Sequence, residues 1–277
     1  MSTPLQNVVL DTAQAGEIPT ILGWAADEGW NPGLEDSEAF YAADPGGFFV
    51  ARAGEGPVAA ISLVRHGAEF AFLGLYLCKP SWRGQGIGYA LWTHAMAGVG
   101  PRTVGLDGVP DQQENYRKSG FVTTGGTQRF TGEVPGMDEE AIKPADPSDI
   151  PTLCAREAAA MGYAKPAFCQ AWFRRTDTRE TLVLGDSFAT LRTCKTGAKI
   201  GPLVAQDETA ARRLIQACAA RRPGPLTVDV PQDCAALAAL CEGFGMTCGF
   251  TTARMYRGAP PSPPGAPLRA IATLELG

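Results

Sequence analysis

The first half of the chain changes its hydrophobic period several times, and each change predicts a new element. A short apolar run at Val8–Leu10 predicts a first strand. Between Glu17 and Asp27 apolar residues recur every three or four positions, which predicts an amphipathic helix. A second short helix is predicted through Ala39 and Phe40. Three further apolar runs, joined by turn residues, predict strands of a meander: Gly47–Arg52, Val58–Val64 and Phe70–Cys78.

The last of these strands leads into a glycine-rich turn and then a helix. Its run Ala71–Cys78 carries no charge, which suits a strand buried on both faces. Pro80 lacks a backbone donor, so it ends the strand or marks a bulge in it. Gly84, Gly86 and Gly88 then permit a positive φ and a close backbone approach. Because they stand where a helical pattern begins, the unpaired N–H groups and the helix dipole predict an anion site.

The spacing of the glycines separates this loop from other phosphate-binding loops. A P-loop ends in Gly-Lys-Ser/Thr and a dinucleotide loop needs Gly-x-Gly-x-x-Gly, and neither is present here. The stretch Cys78-Lys-Pro-Ser-Trp-Arg-Gly-Gln-Gly-Ile-Gly88 resembles instead the Arg/Gln-x-x-Gly-x-Gly/Ala signature of the GNAT acetyltransferase superfamily, with Cys78 replacing a Val. The resemblance implies acetyl-CoA, with its pyrophosphate on the loop and its pantetheine along the strand. The cofactor-binding residues that it implies are Leu77, Cys78, Arg83, Gly84, Gln85, Gly86, Ile87 and Gly88.

The elements after the loop follow the order of the same superfamily. Thr103–Leu106 predicts a strand, Asp111–Ser119 a helix, and another strand starts at Phe121. Tyr116-Arg-Lys-Ser-Gly-Phe resembles the family's Tyr-x-x-x-Gly-Phe. The resemblance implies that Tyr116 is catalytic and protonates the leaving thiolate of the coenzyme. The alternative is that Tyr116 only packs the helix against the sheet.

The second half of the chain repeats the pattern of the first. Glu17-Ile-Pro-Thr-Ile-Leu22 recurs as Asp149-Ile-Pro-Thr-Leu-Cys154, and Gly120–Phe130 matches Gly245–Met255. The glycine loop is missing from the copy. Ala205–Ala211 stands in its place with no glycine and two acids, which would repel a phosphate.

This duplication predicts two domains of the α/β (α+β) class. The resemblance implies tandem GNAT folds, each with a mixed, mostly antiparallel central sheet flanked by helices. Residues 1–135 are predicted to be the catalytic GNAT domain and residues 140–277 a degenerate GNAT-like domain. In the bacterial two-domain relatives that the chain resembles, the second copy helps to wall the acceptor site. The Pro-rich stretch Ala259–Pro267 predicts a hairpin connector before a last strand, Leu268–Leu276.

The residue that would deprotonate the acceptor is left open by the sequence. Some superfamily members carry a Glu six positions before the last residue of the fourth strand, and Phe72 occupies that position here. Glu69 lies three positions away, on the opposite face of a regular strand. Asp107 has a counterpart, Asp229, in the half without a glycine loop, which predicts a structural role for both. Acids at the end of the first helix and a chain of water molecules remain as alternatives.

Composition restricts the class of protein further. The chain has 277 residues, 45% of them hydrophobic, enough for two cores. Its eight cysteines form no Cys-x-x-Cys pair and it has only two histidines, so no metal site and no redox motif is expected. No apolar run has the length of a membrane span and no signal-peptide pattern opens the sequence, so we expect a cytoplasmic protein without a membrane partner.

Charge is unevenly divided between the halves. Residues 1–137 hold 8 basic and 14 acidic side chains, a net charge of −6. This acidity argues against a nucleic-acid partner and favours a cationic acceptor, such as an amine. Asp27, Glu28 and Trp30 are the candidate acceptor-binding residues, because a Trp face and nearby acids attract an ammonium group. The alternative is that the acids only keep the surface soluble.

The sequence therefore predicts an N-acetyltransferase that moves an acetyl group directly from acetyl-CoA to the amine of a small molecule. Backbone N–H groups of the fourth strand would stabilise the oxyanion. The alternatives are a non-catalytic acyl-CoA sensor, a protein N-terminal or lysine acetyltransferase, and an interaction module. We expect a monomer or a homodimer. The acceptor and the length of the acyl group are left open.

Overall fold

The computed structural model describes residues 7–54, 56–263, 265 and 267–277. In the first half the elements follow the predicted order, with ends shifted by a few residues. They are β1 (Val8–Thr12), α1 (Ile18–Asp27), α2 (Asp36–Ala43), β2 (Phe48–Ala53), β3 (Gly56–Arg65), β4 (Phe70–Cys78), α3 (Ile87–Ala97), β5 (Thr103–Gly108), α4 (Gln113–Lys118) and β6 (Val122–Glu133).

The second half repeats this order. Its elements are β7 (Lys143–Pro144), α5 (Ile150–Met161), α6 (Pro166–Trp172), β8 (Arg179–Leu184), β9 (Ser187–Thr193), β10 (Ala198–Ala205), α7 (Glu208–Arg221), β11 (Pro225–Pro231), α8 (Ala235–Gly243), β12 (Thr247–Arg257) and β13 (Leu268–Ala270). The repeated Ile-Pro-Thr begins α1 and α5, with Pro19 and Pro151 in the first turn, where a helix does not need the missing N–H.

All the strands described belong to one continuous sheet. Its order is β1-β2-β3-β4-β5-β12-β6-β11-β10-β9-β8-β7, and β13 pairs with β10 at the side. The β4–β5 and β10–β11 pairs are parallel and the other pairs are antiparallel. With helices packed against this mixed, mostly antiparallel sheet, the predicted fold class is confirmed.

The two halves exchange their long strands at the centre of the sheet. β12, from the second half, lies between β5 and β6 of the first, and β6 in turn pairs with β11. Two buried ion pairs join the exchanged strands to strands of the other half. Arg129 on β6 binds Asp229 on β11, and Arg254 on β12 binds Asp107 on β5, each with a 2.7 Å contact. The domain boundary predicted between residues 135 and 140 stays a prediction. The sheet is continuous across the two halves.

Each half contains a place where two parallel strands separate. β4 and β5 are paired from Phe70–Thr103 to Leu73–Leu106, and a bulge with Leu75 at φ +46° follows in β4. β10 and β11 are paired only from Ala198 to Ile200. The opening in the second half is filled, because β13 pairs with β10 there and the Ile271 N–H donates to the Asp229 carbonyl at 3.0 Å.

The final segment of the chain corrects one sequence prediction. The last strand ends at Ala270 rather than Leu276, and β13 pairs with β10 rather than with β12, so the Pro-rich stretch is not a hairpin connector. Pro264 and Ala266 of that stretch lie outside the described residues. From Ile271 the chain leaves the second half and crosses to β4. We call residues 271–277 the crossing segment.

The cores of the two halves are built mainly from side chains facing the sheet. One cluster of buried residues packs α3 against β2–β5 and includes Tyr116 and Phe121. Another packs α7 and α8 against β8–β11. A third joins the halves, since Phe40 on α2 packs against Phe168 and Trp172 of α6. No helix in the described part of the chain is long and apolar enough to cross a membrane.

Candidate active site

The glycine loop has the backbone that the sequence predicts for an anion site. Gly84 and Gly86 have φ values of +74° and +79°, and Gly86 is the N-cap of the eleven-residue helix α3. A Cβ on either would meet nothing within 4 Å. The glycines are therefore needed for backbone conformation rather than for space. The first N–H groups of α3 have no acceptor within the helix, so they can bind an anion.

An open cleft of about 550 Å³ runs beside this loop. Six of the eight residues implied to bind the coenzyme line it: Leu77, Cys78, Arg83, Gly84, Gly86 and Gly88. The other two do not. The Gln85 side chain turns back and donates to the Ser81 carbonyl at 2.9 Å, and Ile87 is fully buried under α3. Gln85 therefore stabilises the loop and Ile87 packs in the core, and neither side chain lines the cleft.

Arg83 is held in place by the chain itself. Its Nε donates to the Cys78 carbonyl at 2.8 Å, and its Nη2 forms an ion pair with Glu28. Both side chains are about half exposed. Glu28 thus lines the cleft as the partner of the arginine next to the glycine loop. A phosphate that binds Arg83 would compete with the Glu28 carboxylate, which is not a free group for an ammonium ion.

A smaller cavity of about 60 Å³ lies where β4 and β5 separate. Apolar side chains make most of its wall: Leu73, Leu75, Leu106, Val109, Phe250 and Leu274. The inner cavity and the open cleft are neighbours, because four residues line both: Trp30, Tyr76, Val109 and Gln112. Beyond Leu73 the side of β4 that faces β5 is no longer in the parallel register, which leaves its backbone groups available at the cavity.

Two tyrosines stand at this cavity, and the sequence identified only one of them. Tyr116 on α4 is 7% exposed and its ring stacks on Trp92 at 5.5 Å between centroids. Burial raises the pKa of Tyr116 well above its ordinary value, and neighbouring Tyr76 adds to the effect. Burial also raises the pKa of Tyr76 to about 12. Tyr76 lines the cavity and the cleft. The sequence signal that could have identified it is its position in β4, the strand that leads into the glycine loop.

The three candidate acceptor residues do not all line the cavity or the cleft. Trp30 lines the cavity and the cleft, and its carbonyl accepts hydrogen bonds from Arg129 Nη1 at 3.1 Å and from Lys199 Nζ at 2.7 Å. Asp27 is exposed at the end of α1 and is not among the residues that line the cavity or the cleft.

None of the positions on or beside β4 and β5 that the sequence singled out offers a free carboxylate to the inner cavity. Phe72 is fully buried and Glu69 is exposed at the turn before β4. Asp107 lines the inner cavity, but its Oδ1 accepts from Thr127, Thr252 and Arg254 and its Oδ2 accepts from Arg254. This arrangement agrees with the structural role that its counterpart predicted.

Sequence reasoning missed one further acid at the cavity. Glu275 belongs to the crossing segment, is 4% exposed and lines the inner cavity. Its Oε1 has no hydrogen-bond partner among the described residues. No signal in the sequence identified it, because it is separated from β4 by two hundred residues. Among the residues that the structure describes, no group of His, Cys, Asp and Glu could hold a metal ion.

Comparison with known proteins gives consistent matches. The family model "Acetyltransferase (GNAT) domain" matches residues 44–123, and a second model of the same description matches residues 154–266. The chain is 33% identical over 276 residues to the Holothin acyltransferase of Pseudoalteromonas sp. (strain SANK 73390). The alignment covers 96% of this chain and 93% of the relative.

Solved structures share the fold over the whole length. A putative acetyltransferase from Pyrococcus horikoshii superposes with a TM-score of 0.83 at 19% identity. The superposition covers 98% of this chain and 96% of that protein. A tandem GNAT protein from the clavulanic acid biosynthesis pathway has a TM-score of 0.61 at 16% identity, with 91% and 99% covered. At these identities the likeness concerns the fold alone.

Proposed function

The chain belongs to the GNAT acetyltransferase family and is an acyltransferase, and from that premise we propose that it transfers an acetyl group from acetyl-CoA directly to the amine of a small molecule. The observation that carries the proposal is that the cleft at the glycine loop and the inner cavity at Tyr116 lie side by side and share four wall residues. A coenzyme held by its phosphates at one end would bring its thioester to the other.

The residues of the first half fit the coenzyme. The N-terminus of α3, with Gly84 and Gly86 in left-handed conformations, would bind the pyrophosphate, and Arg83 would add a charge-assisted contact. The exposed edge of β4 would pair with the amide groups of the pantetheine. When bound, acetyl-CoA supplies the activated thioester. Holding it beside an amine converts a bimolecular reaction into one between positioned groups.

Tyr116 would protonate the sulfur as the carbon–sulfur bond breaks. The same desolvation that raises the pKa of Tyr116 and Tyr76 also raises the pKa of the Cys78 thiol in the cleft wall. A coenzyme thiolate in this environment would therefore be a stronger base than in water, which offsets the weaker acidity of the phenol. Backbone N–H groups of β4 beyond its bulge would stabilise the charge on the carbonyl oxygen.

A small acceptor is favoured by the size and position of the inner cavity. It is enclosed by β4, β5 and α4 of the first half and by β12 and the crossing segment of the second. A protein chain would need a longer groove in extended form. The relative named Holothin acyltransferase makes holothin the first acceptor to test.

The experiment is an acetyl-transfer assay with detection of both released thiol and acetylated product. The acceptors are holothin, 2-phenylethylamine, spermidine, lysine and a peptide with a free N-terminus. We expect acetyl-CoA to be consumed only with an amine that then appears as its acetylated product. Preference for the peptide would instead indicate a protein acetyltransferase.

One observation favours the alternative of a non-catalytic acyl-CoA sensor. Phe72 stands where some superfamily members carry a glutamate, and it is fully buried. A sensor would bind acetyl-CoA with the expected dependence on Arg83 and Gly86 but would acetylate none of the five acceptors. Transfer to any of them excludes the sensor.

A further inference from the structure

We infer that Glu275, delivered by the second half, is the residue that takes the proton from the acceptor amine, in a subsite that selects an amine with one nitrogen and an apolar body. This inference rests on the proposed function and names the acceptor side of that same site. It assigns a chemical task to the half of the chain that has lost the glycine loop.

The backbone carrying Glu275 is fixed against the bulge of β4. A Cβ on Gly74 would lie 2.1 Å from the Glu275 carbonyl oxygen, so the crossing segment lies directly on this glycine. His66 Nε2 donates to the Leu276 carbonyl at 2.9 Å, and the buried Lys165 Nζ donates to the Gly277 carbonyl. Glu275 thus lies at the separation of β4 and β5, at the wall of the cavity that contains Tyr116.

The carboxylate of Glu275 is available in a way that no other acid of the cavity is. Asp107 is saturated by hydrogen bonds, whereas Glu275 Oε1 accepts none from the described residues. Leaving a buried carboxylate oxygen without a donor costs free energy. That cost is offset if a rotation of the carboxylate brings this oxygen to a hydrogen-bond donor in the cavity, such as an amine.

The positive groups near Glu275 are themselves occupied. Arg129 forms a two-pronged ion pair with Asp229, through contacts of 2.7 and 2.8 Å. Lys199 donates to the Trp30 carbonyl at 2.7 Å. Both act on Glu275 electrostatically, and neither is hydrogen-bonded to it. Neither cation therefore occupies the Glu275 Oε1, which keeps this oxygen without a donor among the described residues.

The proton balance of the step is complete within the site. The amine nitrogen forms a bond to the thioester carbon and loses one proton to the Glu275 carboxylate. The carbon–sulfur bond breaks with its electron pair on sulfur, which takes the proton of the Tyr116 hydroxyl. Transfer of the proton from Glu275 to the Tyr116 phenolate, directly or through water, restores both groups. The products are an amide and free coenzyme A.

The cavity walls indicate the class of acceptor. Leu73, Leu106, Phe250 and Leu274 present apolar surface, and Trp30 adds an aromatic face. One unpaired carboxylate can serve one nitrogen, and Arg129 and Lys199 nearby repel a second positive charge. We therefore expect 2-phenylethylamine to be a better acceptor than spermidine.

The test compares wild type, E275Q and the control E242Q, a glutamate exposed on α8. With 2-phenylethylamine, kcat/KM is expressed per concentration of free amine, which removes the titration of the amine itself. We expect E275Q to lower this kcat/KM about 10²-fold at pH 7.5, mainly through kcat. Wild type should lose activity toward acid pH and E275Q should not. Arg129 and Lys199 interact electrostatically with Glu275, and Asp107, Tyr76 and Tyr116 line the same cavity.

The controls separate a chemical role from a structural one. E275Q and E242Q should keep the thermal midpoint and the acetyl-CoA affinity of wild type within twofold, and E275D should recover part of the activity. An active wild type with an unchanged rate and pH profile in E275Q would overturn the inference and leave the proposed function intact. A preference for spermidine would overturn the acceptor class. An inactive wild type would overturn the proposed function and this inference together.

Discussion

Burial changes the chemistry of individual side chains in the cleft, and it raises the pKa of two phenols and of a thiol there. The raised pKa values of Tyr76 and Tyr116 would make either phenol a poor acid for a thiolate in water. The pKa of the Cys78 thiol is raised in the same cleft, and we expect the pKa of a coenzyme thiol bound there to rise in the same direction. The environment of the reaction, and not the phenol alone, therefore decides whether a tyrosine can act.

The first prediction assigns the acid to Tyr116 rather than Tyr76. Tyr116→Phe should lower kcat about 10²-fold and leave the dissociation constant of acetyl-CoA near wild type, because the hydroxyl acts in the transition state. Tyr76→Phe is the matched control, since it removes the other phenol of the same cavity and should cost less than about 10-fold. Steady-state kinetics and calorimetry check both. A large loss in Tyr76→Phe with normal Tyr116→Phe would reverse the assignment.

A second prediction concerns His66, which lies under the crossing segment. Burial, with neighbouring Lys165, lowers the pKa of His66 to about 3 from an ordinary value near 6.5. The unfolded chain therefore binds a proton between these values and the folded chain does not. Stability is fully present above about pH 6.5 and is lost as the pH falls toward 3, by about 1.4 kcal/mol per pH unit.

Denaturant unfolding between pH 7 and pH 4 measures this effect. The part of the slope due to His66 should disappear in His66→Gln, whose amide can still donate to the Leu276 carbonyl. His94→Gln, at an exposed position on α3, should retain the slope of wild type. An equal slope in wild type and His66→Gln would show that other groups control the acid limit.

The conformation of the glycine loop could be predicted because its signal is local, and the acid of the cavity could not. The motif around Gly86 fixes backbone geometry within ten residues, so the sequence carries its signal. The Arg83–Glu28 pair and the position of Glu275 depend on contacts between distant parts of the chain. A single sequence has no period or spacing that encodes such contacts.

At the scale of elements, the crossing segment has two tasks that the sequence did not predict. Its first part follows β13, which fills the opening between β10 and β11, where a coenzyme would otherwise enter the second half. Its second part lies on β4 beside the inner cavity. The apolar pattern from Leu268 to Leu276 looked like one long strand because both parts are buried. Only three of those residues are strand.

The glycine at the β4 bulge provides a test of this element. Gly74→Ala places a methyl group 2.1 Å from the Glu275 carbonyl oxygen and must displace the crossing segment. We expect a loss of about 1–3 kcal/mol of stability and a lower kcat/KM for the acceptor. Gly125→Ala on β6 is the control, because nothing lies within 4 Å of its Cβ and the loss should stay within about 0.5 kcal/mol. Equal behaviour of the two variants would contradict the described contact.

At the scale of the whole molecule, strand exchange makes the two halves one structural unit. The duplication was visible in the sequence, but the exchange was not, because β6 and β12 have equivalent patterns and fit either neighbour. The reciprocal pairs Arg129–Asp229 and Arg254–Asp107 each join strands from different halves. Removing either half would leave a buried charge without its partner and a central strand without a neighbour.

This arrangement predicts a single cooperative unfolding transition. Fluorescence, circular dichroism and calorimetry should give the same midpoint, and the calorimetric enthalpy should equal the van't Hoff enthalpy. Asp229→Asn should move the whole transition to lower temperature rather than split it. Two separate transitions, one for each half, would show that the exchanged strands do not couple the halves.

The account depends most on one acetyl-CoA site per chain, at the glycine loop of the first half. In the second half Asp207 caps α7, accepting from the Ala210 N–H at 2.7 Å, and β13 occupies the opening, so no second site is expected. Calorimetric titration of acetyl-CoA should give one site in wild type and no measurable binding in the double variant Gly86→Glu, Arg83→Glu. Gly185→Glu, at a glycine of similar positive φ in the second half, should bind as wild type. Two sites in wild type, or binding that survives the double variant, would contradict the account.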